Sequence, residues 1–303
     1  MKKFAQFPQF VFLTALILLV SCNSSNSTKN ESETILKGST SLLVDETLKP
    51  IMEDQIQVFE SLYEAKIVLE AKSEAEVLQS LVKDSSRIAV LTRTLTTEEA
   101  KIFESKKIKP RITKIATDAI AFIVNRNTKD TLIALEDVIH FMQGQSNPRI
   151  KGLVFDNPNS STVRFMNELA EIKSMPEKGV FSFKTNEEVI KYVSENNGMI
   201  GVVGMNWLSQ PTASYQSYLK NIQVLSVKDS NSNIFVAPSQ NNIAERVYPL
   251  TRDLFIVNCQ GFSGLGMGFA SFVAGEKGQR IILKSGLLPL RMPGRNIIIK
   301  TKK

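Results

Sequence analysis

Three short hydroxyl-rich segments are the places where this chain could grip an anion: Gly38-Ser39-Thr40-Ser41, Leu91-Thr92-Arg93-Thr94 and Asn159-Ser160-Ser161-Thr162. Each reads as a turn where a strand hands over to a helix. The first N–H groups of a helix have no intrahelical acceptor and carry partial positive charge, so such turns bind anions. Ser and Thr hydroxyls add donors, and Arg93 adds a guanidinium that can hold two oxygens at once. The same residue types cap helices, so each segment taken singly reads both ways.

Other chemistry is harder to assemble. Ser80-Leu81-Val82-Lys83 and Ser217-Tyr218-Leu219-Lys220 match the Ser-x-x-Lys of serine acyl-transfer enzymes, but the companion motifs are missing and a chain rich in Ser and Lys gives such matches by chance. His140 is the single histidine, in a helical pattern from Leu135 to Phe141, so neither a Ser-His-Asp set nor a histidine metal site can be built around it. The glycine-rich stretch from Gly261 to Gly268 lacks the Gly-Lys-Ser/Thr ending of a phosphate loop and reads as a flexible loop entering a helix. The expectation is therefore a binding protein with no cofactor and no metal, and an envelope serine hydrolase is the weakest alternative.

The first residues speak about location. Lys2 and Lys3 precede an apolar run from Phe10 to Val20, which closes on Leu19-Val20-Ser21-Cys22. The run falls short of the roughly 20 apolar residues that cross a bilayer and has the layout of a signal peptide ending in a lipobox. Residues 1–22 are read as that signal peptide, with Cys22 the lipidated residue. Acyl chains on Cys22, palmitate among them, would hold the protein on a membrane, each buried methylene contributing roughly 0.8 kcal/mol. Residues 23–34 carry no apolar side chain to bury and read as a flexible tether. The implied location is the cell envelope, on a periplasmic or extracytoplasmic membrane face.

The remaining body is long enough for one large or two modest cores. The 43% hydrophobic and 22% charged residues of the whole chain are ordinary for a globular protein. Of the formal net charge of +7, Lys2 and Lys3 belong to the leader and Lys300, Lys302 and Lys303 to the extreme C-terminus. That mild balance suits an anionic ligand or a membrane surface, and no basic helix with interleaved aromatics argues for nucleic acid. Cys259 has no second mature cysteine to pair with and reads as a buried thiol.

The elements that must position these groups alternate. Strand patterns fall at 66–70, 87–91, 116–125, 152–155, 199–203, 222–227 and 248–257. Helical patterns fall at 74–82, 97–106 with Thr96 as cap, 135–141, 162–170 and 186–195. Alternation of this kind predicts an α/β fold with mostly parallel sheets flanked by helices. Two long strands, 116–125 and 248–257, bracket a middle section and could each cross between two lobes.

In order along the chain, the segments resemble the phosphate-binding subfamily of periplasmic solute-binding proteins of ABC transporters, in the type II superfamily. Gly38-Ser39-Thr40 resembles the first phosphate loop, and Arg87-Ile88-Ala89-Val90-Leu91-Thr92-Arg93 the strand ending in Ser-Arg. Thr117 to Asn125 resembles the strand into the second lobe, Asn159-Ser160-Ser161-Thr162 the Ser-Gly-Thr anion loop, and Gly198 to Gly204 the Gly-x-Ile-Gly-Tyr segment. Tyr248-Pro249-Leu250-Thr251-Arg252-Asp253-Leu254 resembles the return strand. The stretch from Phe272 to Gln279, followed by Gly286-Leu287-Leu288-Pro289-Leu290, resembles the closing helix and tail.

The resemblance implies a two-lobe fold joined by two hinge strands, with lobe 1 formed by residues 35–120 and 248–303 and lobe 2 by residues 121–247. It implies an oxyanion held by Ser39, Thr40, Ser160, Ser161 and Thr162 with Arg93 next, and a second rank of contacts at Ser73, Thr92, Asp118 and Arg164. The implied partners are inorganic phosphate or a related oxyanion, an ABC transporter permease and the membrane reached through Cys22, for a monomer. Phosphate binders of this family place an arginine just before Ser-Gly-Thr, where this chain has Phe155-Asp156-Asn157-Pro158. The Gly of that motif is Ser161, and the first-lobe Gly-Ser-Gly turn appears only as Ala71-Lys72-Ser73-Glu74. A carboxylate near the anion accepts a proton from monohydrogen phosphate and repels fully ionised sulfate. The same fold could instead take another oxyanion, or serve as a sensor or partner-binding lipoprotein.

Overall fold

The computed structural model describes residues 33–83 and 87–292. The chain divides into a short N-terminal unit, Met1–Glu33, and a body, Thr34–Lys303. The lipobox ending in Cys22, most of the tether and the lysines at the C-terminus lie outside the described residues.

The body opens with β1 (Lys37–Asp45), which runs through a 3-10 turn (Glu46–Leu48) into α1 (Lys49–Leu62). Pro50 stands in the first turn of α1, where its missing N–H costs nothing. Next come β2 (Glu64–Lys72), α2 (Glu74–Val82), β3 (Ile88–Leu91), α3 (Thr97–Ser105) and the long β4 (Arg111–Asn125). Thr96 and Glu99 close a reciprocal capping box at the start of α3, as the spacing predicts. The middle of the chain contributes β5 (Leu132–Ala134), α4 (Leu135–Met142), β6 (Gly152–Phe155), α5 (Ser161–Leu169), β7 (Val180–Ser182), α6 (Asn186–Glu195), β8 (Met199–Gly204) and α7 (Met205–Ser209). It continues with α8 (Gln216–Leu219), β9 (Ile222–Val224), β10 (Ser226–Lys228) and α9 (Gln240–Ala244). The last quarter supplies β11 (Thr251–Asn258), α10 (Leu265–Ala274), α11 (Glu276–Lys284) and β12 (Leu288–Pro289).

Ten strands form one mixed sheet in the order β2-β1-β3-β11-β4-β8-β6-β7, with β9 and β12 also pairing β4. β10 and β5 make a separate parallel pair. Pairing is parallel for β2-β1-β3 and for β8-β6-β7, whereas β11 and β4 run antiparallel to their neighbours at the centre. The 15 residues of β4 do two jobs. Its first part pairs with β11, and from Ile120 onward it pairs with β8.

Hydrophobic burial follows that division. One cluster gathers Leu42 and Val44 of β1, Ile51 and Phe59 of α1, Val90 of β3, Leu254 of β11 and Phe269 of α10. A second gathers Ile120 and Phe122 of β4, Leu153 and Phe155 of β6, Met166 of α5 and Val202 of β8. The opposite face of the second half is filled by Ile123, Val154, Val189, Val193 and Trp207. Strands β3, β6 and β8 are buried along their whole length, which explains why their sequences are continuous apolar runs rather than alternating ones.

Several expectations change. Gly38-Ser39-Thr40-Ser41 lies inside β1, where Ser39 and Thr40 pair in register with Lys66 and Ile67, and is not a strand-to-helix turn. The turn comes five residues later, after the buried run Leu42-Leu43-Val44, because hydrophobic burial carries the strand on to Asp45. The stretch 222–227 splits at Leu225 into β9 and β10, which belong to different sheets. Gly266 and Gly268 belong to helix α10 and not to a flexible loop. A Cβ on Gly268 would come within 1.7 Å of the Ile35 carbonyl oxygen, so glycine there permits close packing of helix on backbone. Cys259 is buried, as its apolar context predicts, and His140 is exposed on α4.

Candidate anion-binding cleft

At the centre of the sheet, β4 and β11 bring Asp118 and Arg252 into register as direct antiparallel partners. Arg252 Nε and Nη2 both donate to Asp118 Oδ2, at 3.2 and 3.0 Å. The pair is sealed from water, with side chains 2% and 0% exposed. The remaining nitrogen, Nη1, turns to the α5 N-terminus and donates to Ser161 Oγ at 2.9 Å, with Thr162 Oγ1 at the limit of reach, 3.5 Å.

From Ser161 the contacts pass to the end of β1. Ser161 Oγ lies 3.1 Å from Thr47 Oγ1, and Thr47 Oγ1 donates to Asp45 Oδ2 at 2.9 Å. The hydroxyls of Ser161 and Thr47 both act on Asp45, and either can be the donor in the contact between them, so Arg252, Ser161, Thr47 and Asp45 form one connected polar group. The Thr47 carbonyl is held by Asn206 Nδ2 at 2.8 Å and Trp207 Nε1 at 3.1 Å, both from α7.

Below Ser160 sits a second set of carboxyls. Ser160 Oγ donates to Asp156 Oδ1 at 2.5 Å while accepting from Val163 N at 3.2 Å, so its hydroxyl is both helix cap and carboxylate partner. Asn186 Nδ2 bridges Glu46 Oε2 at 2.7 Å and Asp156 Oδ2 at 3.1 Å. Burial pushes the Asp156 carboxyl up to about 7, with the charge of Asp45 adding to the rise and Ser160, Arg252 and Asn186 opposing it. Burial likewise takes Asp45 up to about 6, helped by Glu74, and Glu46 up to about 8, helped by Asp156 and Asp45.

A third group spans the rim. Glu74, at the start of α2 and nearly fully buried, accepts from Arg164 Nε of α5 and from Thr92 Oγ1 at 3.3 Å. Arg164 Nη2 also donates to Thr92 Oγ1 at 2.9 Å, and its Nη1 holds both oxygens of Glu168 at 3.0 Å. Ala75 N donates to Asn159 O at 3.2 Å, so α2 and the loop before α5 also touch through backbone. Beside this rim is a surface pocket of about 380 Å³ lined by Glu74, Arg93, Asn159, Ser160, Arg164 and Lys173.

The structure thus brings Ser160, Ser161, Thr162, Asp118, Thr92 and Arg164 into one neighbourhood and leaves Ser39 and Thr40 in a strand away from it. Arg93 also lines the rim pocket, where its guanidinium makes two 2.8 Å bonds to Glu99 and its Nε is 3.9 Å from Glu74. Ser73 spends its N–H and hydroxyl on Glu76, at 3.1 and 2.7 Å, closing the first turn of α2. The sequence reading missed Asp45, Glu46, Thr47, Asn186 and Arg252. A signal for the last was present: an acid in one long hinge-like run and a base in the other are opposite charges embedded in apolar surroundings, which must pair if both are buried.

Chemically, the cleft combines the α5 N-terminus, three hydroxyls and one buried guanidinium, which suit an oxyanion. Carboxyls with raised pKa stand beside them. Among the described residues no group of three or more His, Cys, Asp or Glu side chains could hold a metal ion.

A doubly wound sheet divided by two antiparallel central strands, with polar groups gathered where its halves meet, defines the architecture of periplasmic binding proteins. The chain matches the PBP superfamily domain over residues 28–277 and belongs to that superfamily. The fold is similar to that of a candidate phosphate ABC transporter substrate-binding protein from Clostridium perfringens solved with bound phosphate, at 19% identity and TM-score 0.69, covering 84% of this chain and 100% of that one. An ABC-type phosphate transport receptor from Vibrio cholerae matches at 16% identity and TM-score 0.61, covering 83% and 100%. A candidate phosphate-binding protein from Planctomyces limnophilus matches at 17% identity and TM-score 0.57, covering 84% and 94%. No curated protein matches the sequence. Identities this low establish a shared fold, and the ligand has to be argued from this chain's own residues.

Proposed function

We propose that this protein is a membrane-anchored solute-binding lipoprotein that captures inorganic phosphate between two lobes, residues 35–120 with 248–303 and residues 121–247, and hands it to an ABC importer. The observation that carries the reading is the placement of Arg252: a buried guanidinium on a hinge strand, joined to Ser161 and within reach of Thr162 at the start of α5. It supplies from β11 the cation that relatives of the resembled subfamily place before their anion loop. Ser161, Thr162, Thr47 and Arg252 are the proposed ligand contacts, with Ser160 and Asp118 holding them in place. Ser39 and Thr40 are not carried into this proposal, since they lie in β1.

The ligand-binding proteins whose fold this chain shares, named for phosphate transport, support the reading. The lipid on Cys22 and an extracytoplasmic location rest on the sequence of the first 22 residues. Among the described residues no helix is long and apolar enough to cross a membrane. A second reading, with the fold retained for another oxyanion or a protein partner, is favoured by one observation, the carboxylate of Asp156 beside Ser160.

Calorimetric titration of anion-stripped protein separates the two readings. Tight one-to-one binding of phosphate without a response to sulfate is expected. Silence to both would overturn phosphate capture in favour of a different ligand or partner.

A further inference from the structure

Residues 101–114 gather six cations, Lys101, Lys106, Lys107, Lys109, Arg111 and Lys114, against one acid, Glu104, in a chain whose formal net charge is only +7. They run from α3 into the start of β4, and all six are exposed. Lys114 is paired with Asp253 at 2.7 Å, and Lys106 donates to the Val82 carbonyl at 2.6 Å. Lys107 and Lys109 form no ion pair with a described residue, and the Arg111 guanidinium is met by Met267 Sδ at 3.8 Å rather than by a carboxylate. A helix C-terminus favours cations within its own last turn, which accounts for Lys106 but not for Lys109 or Arg111. Lys107 stands at φ 57°, a conformation that helix ends usually give to glycine or asparagine.

This basic run lies at the end of the sheet opposite the cleft. Arg111 opens β4 beside Asn258, the last residue of β11, and Asn258 pairs in turn with Ile88, the first of β3. Asp118, at the cleft, stands further along β4, roughly 20 Å away. The tether joins the body at the same end as the run. β1 lies parallel to β3 with Leu43 beside Ala89, so the start of β1 and the preceding Ile35 lie past the start of β3. The Ile35 carbonyl packs against Gly268 of α10, and the adjacent Met267 receives Arg111. Ile35, Leu36, Ile112 and Phe262, the last in the loop after β11, add exposed apolar side chains here.

Resting on the lipid anchor at Cys22 proposed above, we propose that this end of the body seats on an anionic phospholipid surface. Lys106, Lys107, Lys109 and Arg111 lie over the headgroups, with Ile112 and Phe262 beside them. The stretch from Asn23 to Thr34 reaches about 40 Å at full extension, so the anchor keeps the body near the bilayer and favours approach by the end that carries Thr34. Each Lys or Arg close to an anionic leaflet strengthens binding roughly fivefold. Four of them orient a body whose anchor already holds it at high local concentration. A body seated in this way turns its cleft from the bilayer, and the charge of the leaflet sets how firmly it stays there.

The test is amine footprinting of the full lipidated chain reconstituted on vesicles of phosphatidylcholine, with and without about 30% phosphatidylglycerol. Acylation of Lys106, Lys107 and Lys109 is expected to slow several-fold on the anionic vesicles relative to Lys173 and Lys178, which are exposed in the other half of the sheet's helices and loops. About 0.5 M salt should abolish the difference. Lys107→Gln with Lys109→Gln should expose Lys106 to the reagent while leaving phosphate titration unchanged. Equal acylation on both vesicle types would overturn the lipid surface, leaving the run to an acidic protein partner, and would leave the anchor standing. Failure of the chain to float with vesicles of either composition would overturn the anchor and the surface together. Phosphate titration of the same samples reads the capture hypothesis independently of both.

Discussion

Arg252 and Asp118 are direct partners in the antiparallel ladder of β11 and β4, and the nitrogen left over from that pair reaches Ser161 at the start of α5. Two central strands and a helix terminus are thereby tied through one guanidinium. Its position makes Arg252 at once a structural residue and a proposed ligand residue, and the two roles can be separated.

Replacing Arg252 by Met leaves Asp118 as an unpaired buried acid. The expected cost is about 3–5 kcal/mol of stability. Removing both charges, in Arg252→Met with Asp118→Leu, should restore most of the melting temperature without restoring anion affinity. Thermal unfolding and calorimetry on the single and double variants check this; parallel recovery of both properties would assign Arg252 a purely structural role.

The three residues of the α5 loop should behave differently. Ser160 caps the helix through Val163 N, so Ser160→Ala is expected to cost about 1 kcal/mol of stability. Ser161→Ala with Thr162→Ala removes two hydroxyls facing Arg252 and should weaken phosphate binding about tenfold or more while moving the melting temperature less than the Ser160 change. Equal binding losses in all three positions would contradict the division of labour.

Thr47 and the Ser39-Thr40 pair supply a matched control. Thr47→Val interrupts the chain of hydroxyls between Ser161 and Asp45 and should reduce affinity measurably. Ser39→Ala and Thr40→Val lie in β1 opposite Lys66 and Ile67 and should leave affinity unchanged. A binding defect from the β1 substitutions would return Ser39 and Thr40 to the site.

Stability without ligand should fall as the solution becomes more alkaline. Asp45, Asp156 and Glu46 have folded-state values of about 6, about 7 and about 8, all above the ordinary carboxyl range near 4. A raised carboxyl pKa means the native state holds protons that the unfolded chain releases. The associated stability is complete below about pH 4 and declines as pH rises through the folded values. Urea midpoints of the anion-free protein from about pH 5 to about pH 8 should drop accordingly, and Asp156→Asn should flatten the decline.

Glu74 at the start of α2 accepts from Arg164 of α5 and from Thr92 just after β3. Glu74→Gln removes the charge attraction and should speed release of bound anion several-fold with little change in the association rate. Stopped-flow displacement measures both. An unchanged release rate would show that closure does not depend on this pair.

The architecture was largely legible in the sequence because it depends on signals a few residues apart. Thr96 and Glu99 mark the start of α3, and apolar runs such as Gly152-Leu153-Val154-Phe155 mark buried strands. The start of α5 was equally plain, from Asn159-Ser160-Ser161-Thr162. The first loop was misplaced for a local reason: Gly-Ser-Thr has turn composition, yet the apolar run after it keeps the chain extended until Asp45.

Sequence by itself determined the alternation of strands and helices, the helix caps and the presence of a hydroxyl-rich anion loop, since backbone preference and hydrogen bonds within one turn decide these. Only the tertiary structure decided which charges meet. The Arg252–Ser161 and Arg252–Asp118 bonds join residues 91 and 134 apart, and Asn186 meets Glu46 across 140. Such pairs are fixed by strand register and by the packing of helices on the sheet, which place one guanidinium, among several in the chain, inside a dry cleft where it must find an acid and a hydroxyl.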